Sequence, residues 1–135
     1  MQLNSLHHCV YSLQYHLVLV TKYRKRCLTS EMLTDFESQA RERCEAWGGR
    51  LIEANGEPDH VHLLIELPPT VALADFVNAL KTGTSRRLRS VHEQHLSGFY
   101  SRPVLWSRSY CVLSCGGAPL EVIKQYIQQQ DRPND

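Results

Sequence analysis

Apolar and polar residues alternate from Val10 to Val20. Tyr11, Leu13, Tyr15, Leu17 and Leu19 fall on one side, and Ser12, Gln14 and His16 on the other. A period of two predicts a long first strand with one buried and one polar face. The period then changes. Phe36, Ala40, Cys44 and Trp47 recur every three or four residues, which predicts a helix. Thr29 or Ser30 can cap it, Glu31 suits its first turn, and Gly48-Gly49 stops it. Arg50 to Asn55 reads as a second strand. Glu57-Pro58-Asp59 turns the chain into a third, Val61 to Leu67, which Pro68-Pro69 ends because proline cannot donate to a ladder. Thr70 is placed to cap a second helix whose apolar stripe is Leu73, Phe76, Val77 and Leu80. Asn78, Lys81, Ser85 and Arg89 form its polar stripe. His92 to Pro103 has no clear period and reads as a loop or short irregular helix. Tyr110 to Ser114 reads as a fourth strand, broken by Gly116-Gly117. Pro119 suits the first position of a last helix that runs to about Asp131, with Leu120, Ile123 and Ile127 inward.

The resulting order, β-α-β-β-α-β-α, predicts an α+β fold. Its first six elements match the ferredoxin-like (RRM-like) arrangement, a four-stranded antiparallel sheet with helices on one face, here followed by a C-terminal helix. In that layout the first and third strands are the central pair. A chain of 135 residues fits a single domain over residues 1–135 and can bury about two-thirds of its unfolded surface. It has no apolar run near the ~20 residues that a membrane helix needs, and Met1 to His8 lacks the features of a signal peptide. The expected setting is cytoplasmic, with no membrane partner. The five cysteines, at positions 9, 27, 44, 111 and 115, show no zinc-ribbon or redox spacing, so buried thiols are the expected role.

Net charge is only +1, but it is unevenly spread. Lys22, Arg24, Lys25 and Arg26 form one basic cluster, and Lys81, Arg86, Arg87 and Arg89 a second. Such patches let a near-neutral protein bind a polyanion. The bland alternative is that each is a solvated face.

Asp59-His60-Val61-His62 is the strongest chemical signal. On a strand, His60 and His62 share one face while Val61, Leu63 and Ile65 share the other. Two imidazoles side by side can give two nitrogen ligands to one metal ion. If the first and third strands are neighbours, His16 stands next to this pair on an open sheet face, a surface of the kind that receives single-stranded nucleic acid. In the last helix Tyr126 and Gln130 are four apart and stack on one side. A tyrosine can act as a covalent nucleophile when its surroundings assist it, and a glutamine carbonyl can ligate a hard cation. The competing reading of Tyr126 is an interfacial tyrosine on an amphipathic helix.

These motifs together resemble the TnpA-type single-tyrosine transposases of the HUH nuclease superfamily, small insertion-sequence transposases. The resemblance is carried by Glu57-Pro58-Asp59-His60-Val61-His62-Leu63-Leu64, by Tyr15-His16 with Lys22-Tyr23-Arg24, by Leu80-Lys81 and by Leu105-Trp106-Ser107-Arg108-Ser109-Tyr110. Gly116-Gly117 ahead of Tyr126-Ile127 and Gln130 completes it, so that it covers about Val10 to Gln130. It implies that His60, His62 and Gln130 hold Mg2+ or Mn2+ and that Tyr126 cleaves single-stranded DNA at hairpin-marked element ends. A 5′-phosphotyrosine intermediate and a free 3′-hydroxyl would form, and the strand would then be rejoined. It further implies a homodimer with active sites shared between subunits. His16, Lys22, Arg24, Lys25, Lys81, Arg86, Arg87 and Arg89 are the candidate DNA-binding residues. The alternatives are a host-retained relative that processes repeated palindromes, a non-catalytic single-stranded nucleic-acid-binding module, and a small zinc protein using His60, His62 and cysteines.

Overall fold

The computed structural model describes residues 3–6, 8–114 and 120–130. In chain order they form β1 (Asn4–Leu6), β2 (Cys9–Tyr11), β3 (Gln14–Val20), a 3-10 turn (Lys22–Arg24), α1 (Ser30–Ala46), β4 (Arg50–Glu57) and β5 (His60–Glu66). Then come α2 (Leu73–Val91), α3 (Glu93–Leu96), β6 (Cys111–Ser114) and α4 (Leu120–Gln129). The main sheet runs β4-β5-β3-β6, all antiparallel. Its centre is the β3-β5 pair, the first and third strands expected from the sequence. This is the ferredoxin-like α+β arrangement.

Helix α1 starts where Thr29 leaves extended backbone and its hydroxyl accepts from the Met32 amide at 3.1 Å. It buries Met32, Phe36, Ala40 and Cys44, one residue per turn. Gly48 then takes a φ of +84°, a left-handed position open to glycine, and a Cβ on Gly49 would run into the Glu66 carbonyl. The turn into β4 is thus pressed against the end of β5.

Two elements differ from expectation. The stretch Val10–Val20 is not one strand: Cys9–Tyr11 pairs with β1 in a separate two-stranded sheet, and the main sheet takes over at Gln14. Alternation shows which face a residue takes, not which strand it pairs with. Thr70 does not cap α2. The Val71 amide bonds to the Pro68 carbonyl at 3.1 Å, so the prolines make a turn and the helix starts after Ala72, without a side-chain cap. The irregular 92–103 stretch holds the one-turn helix α3. The last helix ends at Gln129, close to the expected end near Asp131, whereas the Gly116-Gly117 break and Pro119 lie outside the described residues.

One face of the sheet is buried throughout its centre and the other only in part. Leu17, Leu19, Val61, Leu63 and Ile65 meet α1 and α2 in the main core. Val18 and Val20, on the opposite face of β3, are also sealed from solvent, covered by Ile123 and Ile127 of α4 with Cys111 and Leu113 alongside. Each full burial of such a side chain is worth about 1.5–3 kcal/mol, which makes these four residues the anchor of α4. Trp106 joins the layers. Its ring meets Phe36 edge-on at 5.5 Å and its indole N–H donates to Thr84 at 3.1 Å. The Lys22 amide bonds to the Leu105 carbonyl and the Ser107 amide to the Val20 carbonyl, both at 2.8 Å. The 105–107 segment therefore runs beside the end of β3 and delivers residues 107–109 to α4.

Candidate active site

His60 and His62 point from β5 to the face that carries α4. Their register partners are Val20 and Val18, the two valines that α4 covers. The strand period thus puts the imidazoles, and the packing of α4 puts the tyrosine helix, on one side of the sheet.

Asp59 organises one half of the site. It is 4% exposed and holds His60 Nδ1 at 2.8 Å through one carboxylate oxygen and Arg24 Nε at 2.9 Å through the other. Burial alone would raise its carboxyl. The bonds and charges of His60 and Arg24 outweigh that and hold it below the usual carboxylate range. With Nδ1 engaged, His60 keeps Nε2 as its donor position for a ligand, the way a carboxylate orients a metal-ligating imidazole. His62 Nε2 lies 3.0 Å from His16 Nδ1, with ring centroids 5.2 Å apart. Burial, followed by the neighbouring His16 and His60, pushes His62 below the ordinary imidazole value. Its neutral form, the one that can donate a lone pair, dominates at neutral pH.

The other half gathers around α4. Ser109 Oγ is 2.7 Å from Tyr126 Oη and donates to Gln130 Oε1 at 3.2 Å. Ser107 Oγ donates to the same oxygen at 3.1 Å. Gln130 is 7% exposed and Tyr126 is half-buried. Neither Ser107 nor Ser109 is assigned a role by the sequence pattern.

The donor chemistry of the histidine pair suits a divalent ion: a neutral His62 and an Asp59-oriented His60. Among the described residues no three His, Cys, Asp or Glu side chains converge as a metal-binding group. The Gln130 amide is the third donor that the resemblance names. Cysteine ligands find no support in these positions: Cys27 and Cys44 are core residues, Cys44 with its thiol pushed up to about 12 by burial, and Cys111 sits against the α4 contact. Cys115 lies outside the described residues.

The basic candidates divide. Arg24 is tied to Asp59, Lys25 donates to the Phe99 carbonyl at 2.8 Å, and Lys81 donates to the Arg108 carbonyl at 2.8 Å. Arg87 faces Asp35 at 3.4 Å. Arg86 and Arg89 line a groove with Tyr100 and Arg102. Beside the site, Tyr23 and Arg24 both take left-handed backbone, with φ of 58° and 55°. For bulky residues such positions cost about 1–3 kcal/mol each and concentrate at functional sites.

The sequence and the fold have counterparts. Residues 9–130 match the family model described as "Transposase IS200 like". The chain belongs to the IS200-like transposases, the TnpA type of the HUH superfamily. It is 35% identical over 121 residues to the ISDra2 transposase TnpA of Deinococcus radiodurans, covering 90% of this chain and 86% of that one. It is 33% identical over 128 residues to the transposase for insertion sequence element IS200 of Salmonella typhimurium, covering 93% and 82%. A crystal structure of a Deinococcus radiodurans transposase superposes with a TM-score of 0.86 at 34% identity, covering 94% of this chain and 97% of that one. A REP-associated tyrosine transposase bound to a REP hairpin superposes at 0.58 with 7% identity, covering 92% and 67%, a likeness of fold alone. Among the described residues no helix is long and apolar enough to cross a membrane.

Proposed function

We propose that this chain is a metal-dependent single-strand DNA transposase whose nucleophile is Tyr126. Membership of the transposase family supplies the class of activity. The observation that carries the assignment of residues is the shared sheet face: His60 and His62 project beside the two valines on which the Tyr126 helix packs.

In this reading His60, His62 and Gln130 would hold Mg2+ or Mn2+. Such an ion, when bound, supplies Lewis-acid stabilisation of charge on a phosphate. Asp59 fixes the His60 ring, and burial keeps His62 neutral. Tyr126 Oη attacks the phosphorus of a scissile phosphodiester. The new Tyr–O–P bond holds the phosphate, still on the 5′-oxygen of the downstream fragment; the P–O3′ bond opens, and the departing 3′-oxygen of the upstream fragment takes up a proton in place of the one the phenol gives up. Attack by a 3′-hydroxyl of another strand reverses the exchange and returns the phenol, so no nucleotide hydrolysis is needed. The substrate is single-stranded DNA with hairpin-marked ends. The protein works as a single domain over residues 1–135, in a homodimer whose sites are shared between subunits.

The test is covalent capture. A labelled single-stranded hairpin with an unpaired flank is expected to form a denaturation-stable adduct with the wild-type protein in Mg2+ or Mn2+, and none with Tyr126→Phe. Binding without an adduct under any divalent metal would replace the enzyme with a binding module.

A further inference from the structure

A groove of about 800 Å³ opens beside the site. Lys22, Tyr23, Lys25, Tyr100, Arg102 and Arg108 are among its lining residues, and among the described residues no carboxylate lines it. Its shape is fixed from behind. Tyr100 Oη donates to the Lys22 carbonyl at 2.7 Å, Thr21 Oγ1 donates to the Lys25 carbonyl at 2.6 Å, and Lys25 Nζ reaches the Phe99 carbonyl. This clamped turn holds Tyr23 in left-handed backbone and leaves the residue 44% exposed, with Lys22 Nζ 5.3 Å from the ring centroid. A bulky aromatic is thus held on strained backbone in a cationic groove whose described lining has no carboxylate.

We propose that this groove receives single-stranded DNA, with one unpaired base stacked on Tyr23 and flanking phosphates on Arg102 and Arg108. The aromatic face is what separates this ligand from an acidic peptide: every base offers a π-face, and stacking on an aromatic ring is tolerant of sequence. The groove's lining adjoins both halves of the site in sequence. Arg108 lies between Ser107 and Ser109, which hold Gln130 and Tyr126, and Arg24, next to Tyr23, holds Asp59. The inference rests on the transposase reading for its biological substrate, but the binding step is measurable alone.

The probe is a short oligodeoxythymidine carrying one 2-aminopurine, compared with a blunt hairpin that has no unpaired nucleotide. Wild-type protein is expected to bind the single strand and quench the 2-aminopurine. Tyr23→Ala weakens that binding roughly tenfold and abolishes quenching, whereas Tyr23→Phe retains both and blunt-hairpin affinity stays within about twofold. Tyr23→Gly relieves the backbone strain, so it is expected to raise the melting temperature while still losing quenching, a split that a structural role does not produce. Replacing Arg102 and Arg108 by alanine lowers the magnitude of the salt slope by about 0.7 for each phosphate no longer neutralised. Unchanged quenching in Tyr23→Ala overturns the proposal, as does absence of single-strand binding by the wild type. Equal displacement of the probe by polyglutamate in wild type and Tyr23→Ala also overturns it, in favour of a general anion patch. Adduct formation on element-end hairpins is scored separately, so that a failed groove leaves the Tyr126 chemistry standing.

Discussion

Ser109 Oγ lies 2.7 Å from Tyr126 Oη and 3.2 Å from Gln130 Oε1, so one hydroxyl ties together the two residues of the C-terminal helical segment proposed for chemistry. The proton order follows from the neighbours. Gln130 Nε2 donates to the Tyr126 carbonyl at 3.4 Å, which turns Oε1 toward the serines. Ser109 gives its single proton to Oε1, so its oxygen accepts the Tyr126 hydroxyl. Ser109→Ala is expected to slow single-turnover adduct formation about tenfold, the worth of one positioning hydrogen bond, with DNA affinity unchanged. Ser109→Thr, which keeps the hydroxyl, should restore the rate. An unaltered rate in the alanine variant would remove Ser109 from the positioning of Tyr126.

His60→Ala and His62→Ala are each expected to abolish the adduct while leaving hairpin affinity within about twofold, because phosphate contacts come from basic residues elsewhere. Calorimetric titration of Mn2+ into each DNA-free variant supplies a readout independent of turnover. Gln130→Ala should be milder, since water can replace one oxygen ligand. Full cleavage by both histidine variants at limiting metal would move the site away from β5.

The placement of the three histidines is legible in the sequence. A period of two forces His60 and His62 onto one face, and the β-α-β-β-α-β order forces β3 beside β5, which puts His16 against His62. What pattern could not supply was contact across long sequence separations. Nothing local at Ser107 or Ser109 predicts a bond to α4, because it depends on the 105–107 segment hydrogen-bonding beside β3. The left-handed backbone at Tyr23 is equally silent in sequence, since no glycine marks it. The Val10–Val20 alternation concealed a break for the same reason: partner strands, not periodicity, decide where β2 ends and β3 begins.

The second basic cluster should divide when tested one residue at a time. Arg87 already faces Asp35 on α1, whereas Arg86 and Arg89 line an open groove with Arg102. Arg86→Ala and Arg89→Ala are expected to lower the magnitude of the salt slope of single-strand binding by about 0.7 each, and Arg87→Ala by clearly less. Equal slopes for wild type and the Arg86/Arg89 double variant would return this face of α2 to solvent.

Glu66 makes stability depend on acid pH away from the chemistry. It is 3% exposed at the end of β5. Burial alone would raise its carboxyl, but bonds from Arg50 at 2.8 Å and Gln14 at 3.2 Å outweigh that and hold it below the ordinary value. A carboxyl depressed by folding contributes stability above its unfolded value, about 4.3, and loses it as pH falls through the lower folded value. Urea midpoints of the wild type should therefore drop more steeply below about pH 4.5 than those of Glu66→Gln. At pH 7 the variant should be less stable by about 1 kcal/mol. Parallel midpoint curves would show that the Arg50–Glu66 pair does not couple to folding.

The arrangement of subunits is open to a complementation test. In this structure α4 packs on β3 of its own chain through Ile123 and Ile127. Family resemblance favours the crossed arrangement, in which each site takes Tyr126 from one subunit and His60 with His62 from the other. Tyr126→Phe protein is mixed with the His60→Ala/His62→Ala double variant under conditions that allow subunit exchange. In a crossed heterodimer one site carries both defects and the other carries neither, so adduct formation should return although each parent is inactive. At full exchange half of the dimers are heterodimers with one intact site of two, so recovery to roughly a quarter of the wild-type level is expected. Demonstrated heterodimers with no recovery would place Tyr126 and the histidine pair of each site in one subunit, on the packing seen here, and would leave the chemistry assigned to Tyr126 intact.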